Sequence, residues 1–95
     1  MMELDVPTAI RAQLVALQDD ERSATLSRLQ MLAQDPDGLG TDVHMSAQDA
    51  QLWTVRLSGR IRALVRAEGN RLRVLAVAPR EQLLPYLAPN GKRAA

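Results

Sequence analysis

Residues 52–78 read LWTVRLSGRIRALVRAEGNRLRVLAVA and contain the clearest periodic pattern of the chain. Apolar and polar residues alternate along it, which is the two-residue period of a half-buried β-strand. Glycine interrupts the alternation twice, at Gly59 and at Gly69, and the dipeptide Gly69-Asn70 is a typical hairpin turn. The stretch therefore predicts three consecutive antiparallel strands, the last of which is closed by Pro79.

Counting outward from the two turns predicts the cross-strand pairs Leu57–Ile61, Arg56–Arg62, Val55–Ala63, Ala67–Leu72, Arg66–Arg73, Val65–Val74 and Ala63–Ala76. This register sends a continuous set of apolar side chains to one face, which we call the core face. The opposite face then carries four arginines and a small apolar patch: Thr54, Arg56, Arg62, Arg66 and Arg73, with Leu64, Leu75 and Val77. A slip by one residue would send an arginine into the core, so the pattern specifies the register strongly.

Two amphipathic helices precede the strands. Pro7 fits the first turn of a helix whose apolar stripe is formed by Ile10, Leu14 and Leu17. Asp19 or Asp20 can cap a second helix. The predicted buried stripe of this second helix consists of Leu26, Leu29, Leu32 and Ala33. The helix ends before the turn residues at 35–38. Since the link between the helices is short, they are expected to form an antiparallel helical hairpin.

The remaining segments complete the predicted architecture. Residues 2–6 favour a short edge strand and residues 81–87 a short C-terminal helix, whereas residues 35–51 show no period and are expected to be loop, with His44 as a solvated surface residue. The sequence thus predicts a single α+β domain over residues 1–95, with an N-terminal helical hairpin packed on one face of a small twisted antiparallel sheet. Residues 89–95 are expected to form a flexible tail.

Composition excludes several classes of site. There is no cysteine and only one histidine, so disulfides, thiolate metal sites and a histidine-built zinc site are excluded. We expect no metal and no cofactor. No apolar run approaches the length that spans a bilayer, and the acidic N-terminus does not read as a signal peptide, so we expect a cytoplasmic protein without a membrane partner.

Charge is divided unevenly along the chain. Residues 1–50 carry three arginines against nine acidic residues, whereas residues 51–95 carry nine basic residues against two acidic ones. Like charges opposite each other on neighbouring strands are unfavourable by roughly 0.2–1 kcal/mol per pair. The pairs Arg56–Arg62 and Arg66–Arg73 therefore favour a polyanionic ligand such as RNA. The alternative is a solvated arginine face neutralised by acidic residues of the loop, namely Asp35, Asp37, Asp42 and Asp49.

The order of elements resembles the RelE/ParE superfamily of type II toxin–antitoxin toxins. The resemblance is carried by Arg56…Gly59-x-x-Arg62 on the strands and by Arg80…Tyr86 after them. It implies that Arg62 holds the scissile phosphate, that Arg80 stabilises the transition state or protonates the leaving oxygen, and that Tyr86 orients or stacks on a base. Further expected phosphate contacts are Arg56, Arg60, Arg66 and Arg73. Expected antitoxin contacts are Leu64, Leu75 and Val77.

In the RelE branch, the resemblance implies a metal-independent endoribonuclease that cuts mRNA on the ribosome and is held inactive by an antitoxin. The RNA 2′-hydroxyl attacks the adjacent phosphate, and the group that accepts its proton is left unassigned here because arginine stays protonated. Two other readings remain open: a non-catalytic ParE-like protein that blocks gyrase, and a RelE-fold binding module without toxicity.

Overall fold

A computed structural model describes residues 2–87 of the chain, with the side chains of residue 41 and residues 84–87 excepted. In chain order the elements are β1 (Glu3–Asp5), α1 (Thr8–Val15), α2 (Asp19–Gln34), a 3₁₀ segment (Pro36–Asp42), β2 (Val43–Met45), β3 (Leu52–Ser58), β4 (Ile61–Glu68), β5 (Arg71–Pro79) and α3 (Arg80–Leu87). The α+β class is confirmed. The predicted tail at 89–95 lies outside the described residues.

Within residues 2–87, five strands form one sheet in the order β1-β5-β4-β3-β2. The three predicted strands are its centre, and both flanking strands are short. The expectation of a purely antiparallel sheet is wrong, since β1 pairs in parallel with the start of β5. A parallel neighbour needs a long connection, and here nearly the whole chain separates the two strands. The edge strand expected at residues 2–6 is thus present, and it runs parallel to β5.

The segment expected to be loop contains a 3₁₀ segment and the second edge strand, so that expectation is wrong as well. Pro36 begins the 3₁₀ segment, and β2 then pairs antiparallel with β3. Arg28 of α2 fixes the segment, because its guanidinium donates to the Asp42 carboxylate at 2.7 Å and to the Arg56 carbonyl oxygen at 3.2 Å. Tertiary contacts order this stretch where the sequence shows no period.

The predicted register holds in the middle of the sheet and fails at two bulges. Arg56–Arg62, Arg66–Arg73 and Val65–Val74 pair as expected. At the first turn, Ser58 rather than Leu57 lies opposite Ile61, because Gly59 takes a positive φ of 43° in a two-residue turn and the register shifts between residues 56 and 58. The predicted Leu57–Ile61 pair is therefore wrong, although Leu57 still faces the core.

The second bulge changes which face the end of β5 presents. Val65 pairs with Val74 but Leu64 pairs with Ala76, which leaves Leu75 without a direct partner on β4. Ala63 therefore faces Val77 instead of Ala76. Val77 lies in the core cluster at 5 % exposure, so its predicted place in a patch on the opposite face is wrong.

Both N-terminal helices cover the core face. Ile10 and Leu14 of α1 and Leu29 and Leu32 of α2 belong to the same buried cluster as the central strands. The main contacts of α1 are with β5, and those of α2 are with β3, β1 and the 3₁₀ segment. The Gln13 side-chain oxygen also accepts a hydrogen bond from the Val77 backbone N–H at 3.1 Å, which covers part of the β5 edge that β1 leaves open. How closely the two helices pack on each other as a hairpin stays a prediction.

The second helix is rotated slightly from its predicted orientation. Gln18 is its N-cap, so Asp19 and Asp20 lie in its first turn, where they suit the positive end of the helix. Leu26, expected in the buried stripe, is 37 % exposed, and Thr25 is fully buried in its place. The hydroxyl oxygen of Thr25 has no hydrogen-bond partner among the described residues.

Replacing Thr25 by valine is expected to stabilise the protein by about 1 kcal/mol, because it removes a desolvated hydroxyl and keeps the shape of the side chain. Urea unfolding of the two proteins measures the change. The comparison variant Thr25→Ser keeps the hydroxyl and removes a methyl group, and it should cost about 1 kcal/mol. A valine variant less stable than the native chain would show that the hydroxyl is satisfied.

Candidate functional site

The face of the sheet opposite α1 and α2 carries the candidate site. Direct cross-strand pairing places His44, Thr54 and Leu64 in one row across β2, β3 and β4. The next row towards the Gly59 turn contains Arg56 and Arg62. These side chains share a face because paired residues of neighbouring strands point to the same side.

A cavity of about 400 Å³ opens on this face. It is lined by His44, Met45, Ser46, Ala47, Leu52, Thr54, Arg62, Leu64 and Arg80. β2 and the residues after it form one wall, β3 and β4 form the floor, and the first residue of α3 completes it. Two guanidinium groups and one imidazole thus surround a space whose described lining contains no carboxylate.

Arg62 is the most constrained cation of the cavity. Its Nε is buried and has no hydrogen-bond partner among the described residues. An unpaired buried donor costs roughly 1–3 kcal/mol, and more when it belongs to a charged group. An anionic oxygen in the cavity would give this guanidinium the acceptor that the described part of the chain does not supply. This unpaired donor makes the cavity a candidate site for an anion.

Arg80 reaches the same cavity from a different element. It is the first residue of α3, is exposed, and its backbone N–H donates to the Arg60 carbonyl oxygen at 3.3 Å. This contact ties the start of α3 to the turn between β3 and β4. The structure therefore brings together Arg62 and Arg80, which the sequence placed on separate elements.

Several other predicted phosphate contacts are already neutralised within the chain. Arg66 is bound by Asp49 at 3.0 Å and Arg73 by Asp5 at 3.1 Å, and the nearest carboxylate to Arg60 is that of Glu21 at 3.9 Å. The argument from facing like charges therefore fails for the Arg66–Arg73 pair, because both members have acidic partners. The alternative, that acidic residues of the loop neutralise arginines of this face, is correct for Arg66, whereas the partner of Arg73 is Asp5 of β1.

The Asp49–Arg66 pair also anchors the segment between β2 and β3. The backbone N–H of Gln51 and the Arg66 guanidinium both donate to the Asp49 carboxylate and hold its pKa below the usual value. Nearby, the Trp53 indole N–H donates to the Ala50 carbonyl oxygen at 2.9 Å. Because Ser46 and Ala47 line the cavity, this anchoring fixes one of its walls.

Arg56 remains available beside the cavity. Its side chain is exposed and forms no ion pair with any residue that the structure describes. It lies directly opposite Arg62, so this predicted like-charge pair is present without compensation. Arg56, Arg62 and Arg80 are thus the cations of this face that a ligand could neutralise.

The predicted apolar patch is dispersed. Leu64 is 3 % exposed on the floor of the cavity, Leu75 is 38 % exposed at the bulge, and Val77 faces the core. Of the three expected antitoxin contacts, only Leu75 therefore offers a substantial open surface. Tyr86 lies on α3, and its side chain is outside the described part of the chain.

His44 is the residue of the site that the sequence reasoning missed. The expected loop is wrong, because His44 lies on β2 opposite Thr54, but its side chain is exposed as expected, and it lines the cavity. The Thr54 hydroxyl oxygen lies 3.4 Å from the His44 carbonyl oxygen, to which it donates. The alternation in Val43-His44-Met45 is too short to stand out from the surrounding polar residues, so a strand was not predicted there.

Two further features bear on the class of the protein. No helix in the described part of the chain is both long and apolar enough to cross a membrane. Between residues 2 and 87, no three or more His, Asp or Glu side chains come together in a group that could hold a metal ion.

Comparison with known proteins rests on structure alone, since no protein-family model and no curated protein matches the sequence. The archaeal RelE–RelB complex from Pyrococcus horikoshii is 17 % identical, with a TM-score of 0.68 over 83 % of this chain and 94 % of that one. The toxin–antitoxin complex RelBE2 from Mycobacterium tuberculosis is 17 % identical, with a TM-score of 0.67 over 82 % and 96 %.

A third solved structure, a mutant of the E. coli toxin RelE in the free state, is 14 % identical, with a TM-score of 0.71 over 90 % of each chain. The likeness covers nearly the whole of each of the three neighbours, so it includes the sheet and the helices together. At these identities it shows the fold. The resemblance predicted from the strands and from the Arg80 segment is thereby confirmed at the level of structure: this chain has the RelE-like toxin fold.

Proposed function

We propose that this protein is the toxin of a type II toxin–antitoxin pair and that it inhibits translation by cleaving mRNA. The observation that carries the proposal is the cavity that Arg62 and Arg80 both line. Its described lining contains no carboxylate. Phosphoryl transfer builds negative charge on the phosphate oxygens, and preorganised cations stabilise that charge more in the transition state than in the ground state.

The chemical step follows from this arrangement. Arg62 and Arg80 bind the non-bridging oxygens of one phosphodiester, and the neighbouring ribose 2′-hydroxyl attacks the phosphorus. The products are a 2′,3′-cyclic phosphate and a 5′-hydroxyl end. The described lining offers cationic donors and no carboxylate for a hard divalent ion, so the proposal is a metal-independent reaction.

The apolar part of the cavity supports a single-stranded substrate. Beside the arginines, the cavity is lined by Leu52, Leu64 and Ala47. An unpaired base can pack against these apolar side chains while its phosphate binds the guanidinium groups. A paired duplex would keep its bases stacked away from this surface. An antitoxin is the proposed protein partner, in line with the RelB-bound state of two of the structural neighbours.

A second candidate is a RelE-fold binding module without catalysis. Neutralisation of Arg66 and Arg73 by Asp49 and Asp5 favours it, because the cationic surface is smaller than the sequence indicates. A ParE-like gyrase blocker is a third possibility. Arg62 and Arg80 in one cavity favour the nuclease over the gyrase blocker, since a protein that only blocks gyrase has no use for a phosphate site.

The direct test incubates the purified chain with single-stranded RNA in the presence of EDTA and maps the ends of the products. We expect cleavage that leaves 2′,3′-cyclic phosphates, and no cleavage of an oligonucleotide with 2′-deoxyribose at the same position. Intact RNA, with binding retained, would favour the binding module. Intact RNA without binding would favour a protein target.

Binding of the 2′-deoxy oligonucleotide should depend moderately on salt. Each phosphate neutralised on a single strand contributes about −0.7 to the slope of log K against log salt, so the three arginines without an ion-pair partner among the described residues predict a slope of about −2. Fluorescence anisotropy at several salt concentrations measures it. A slope of about −4 would mean that Arg60, Arg66 and Arg73 leave their carboxylates to bind RNA. A flat response would argue against a phosphate site altogether.

A further inference from the structure

The proposed cleavage needs a group that removes the proton of the 2′-hydroxyl. Arg62 and Arg80 are unsuited to this, because guanidinium stays protonated in proteins. Histidine is the side chain that exchanges protons near neutral pH. The chain contains one histidine, and it lies in the wall of the cavity that holds both arginines.

We propose that His44 is the general base of this site, an assignment that rests on the proposed function. The step is balanced as follows. The imidazole takes the proton of the 2′-hydroxyl, the O2′–P bond forms, and the P–O5′ bond breaks with its electron pair on O5′. O5′ takes a proton from water, and the imidazolium returns its proton to water.

The register places His44 at a suitable separation from Arg62. His44 pairs with Thr54, and Thr54 pairs with Leu64, so two strand spacings separate β2 from β4. Strands lie about 4.8 Å apart, and Arg62 lies two residues along β4 from Leu64, which puts the backbones of His44 and Arg62 roughly 12 Å from each other. Both side chains line the cavity between them. A ribose and its 3′-phosphate can therefore contact the imidazole on one side and the guanidinium on the other.

The strand that carries His44 is held in place from both ends. The 3₁₀ segment before it is fixed by the Arg28–Asp42 pair, and after it the Ser46 backbone N–H donates to the Leu52 carbonyl oxygen at 2.8 Å. An edge strand fixed in this way keeps the backbone of His44 near one position, which limits where the imidazole can lie. A general base gains from that, because proton transfer requires hydrogen-bond distance to the hydroxyl.

The charged groups around His44 are the arginines that the proposed reaction uses and two carboxylates that are already paired. The neighbouring elements present them as follows. β3 presents Thr54 and Arg56, β4 presents Arg62, and α3 presents Arg80. Asp42, two residues away on the 3₁₀ segment, is bound by Arg28, and Asp49, on the segment after β2, is bound by Arg66. Within the described residues, no carboxylate lines the cavity to compete with a phosphate for Arg62 and Arg80.

The test replaces His44 by alanine in the full chain and measures cleavage of single-stranded RNA from pH 5 to pH 8. Removing a general base should slow cleavage by about 100-fold. Affinity for the 2′-deoxy oligonucleotide should change by no more than about twofold, since Arg62 and Arg80 still bind the phosphate. The rise of the native rate with pH should be lost, and added imidazole should restore part of the activity. Arg71→Ala, on the edge of β5 away from the cavity, controls for the introduction of alanine.

NMR signals of the His44 imidazole test the proposal independently of activity. Because His44 is the only histidine, its ring protons are the only histidine signals in an NMR spectrum of the chain. They should shift when the 2′-deoxy oligonucleotide is added to the native protein, and reaching the same shift should need a higher oligonucleotide concentration in Arg62→Ala, which loses one of the three cations.

The outcomes separate the two proposals. A native chain that cleaves RNA and a His44→Ala variant that cleaves equally well would overturn the role of His44 and leave the nuclease. A slow variant that imidazole does not restore, with an unchanged pH profile, would also overturn it. A native chain that never cleaves RNA overturns the proposed function and the role of His44 with it.

Discussion

Replacing Arg62 by alanine is expected to abolish growth arrest when the protein is expressed from an inducible promoter. In vitro, the variant should cleave RNA about 100- to 1000-fold more slowly, the cost of removing one preorganised donor from a developing oxyanion. The reason is local: the Arg62 guanidinium lies in the floor of the cavity, and its buried Nε has no acceptor among the described residues. Mapping of mRNA ends after induction measures the effect in cells.

Arg71→Ala is the matched control. It removes the same charge from the neighbouring strand, where Arg71 is bound by Glu3 at 3.5 Å at the far edge of the sheet. This variant should remain toxic. Neither variant should unfold at a markedly lower temperature than the native chain, because the Arg62 Nε has no partner to lose among the described residues and the Arg71–Glu3 pair is exposed. Toxicity retained in Arg62→Ala, with the same pattern of mRNA ends, would refute the assignment of Arg62.

Replacing Leu29 by alanine is expected to cost about 2–5 kcal/mol of unfolding free energy, because it leaves a cavity beneath α2. Leu29 is fully buried in the cluster that joins α2 to the sheet. A domain of this length has roughly 5–14 kcal/mol to lose, so the variant should lie near the limit of stability. Urea and thermal unfolding, followed by circular dichroism, measure the change.

Leu26→Ala distinguishes the structure from the sequence pattern. The pattern groups Leu26 with the buried stripe, but its side chain is 37 % exposed. The variant should therefore change stability by less than about 1 kcal/mol, the range of surface substitutions. A loss equal to that of Leu29→Ala would show that α2 is rotated with Leu26 towards the sheet.

The fold was predictable where apolar and polar residues alternate regularly, so that the two faces of a strand differ in polarity. In the middle of β3 and β4, a shift by one residue would bury an arginine, so the pairs of Arg56 with Arg62 and of Arg66 with Arg73 follow from the sequence. In Val74-Leu75-Ala76-Val77 every residue is apolar, so the pattern does not favour either face. The bulge at Leu75 and the burial of Val77 lie where α1 contacts β5 and Gln13 accepts a hydrogen bond from the Val77 N–H.

The candidate site was predictable only in part, for a related reason. Arg62 and Arg80 were identified by resemblance, and the structure places them in one cavity. Arg66 and Arg73 were grouped with them because the sequence gives no measure of distance to Asp49 and Asp5, which lie far away along the chain. His44 was missed because a three-residue edge strand is stabilised by its neighbour and not by its own pattern.

Period and polarity are local properties of the chain, so they were enough to predict a helical N-terminal half on one face of a three-stranded core and arginines on the other face. Which of those arginines lack an ion-pair partner among the described residues was not predictable in this way. Ion pairs and cavities depend on residues that meet in space from distant positions. The pairing of Arg66 and Arg73, and the meeting of Arg62, Arg80 and His44 around one cavity, are of this kind.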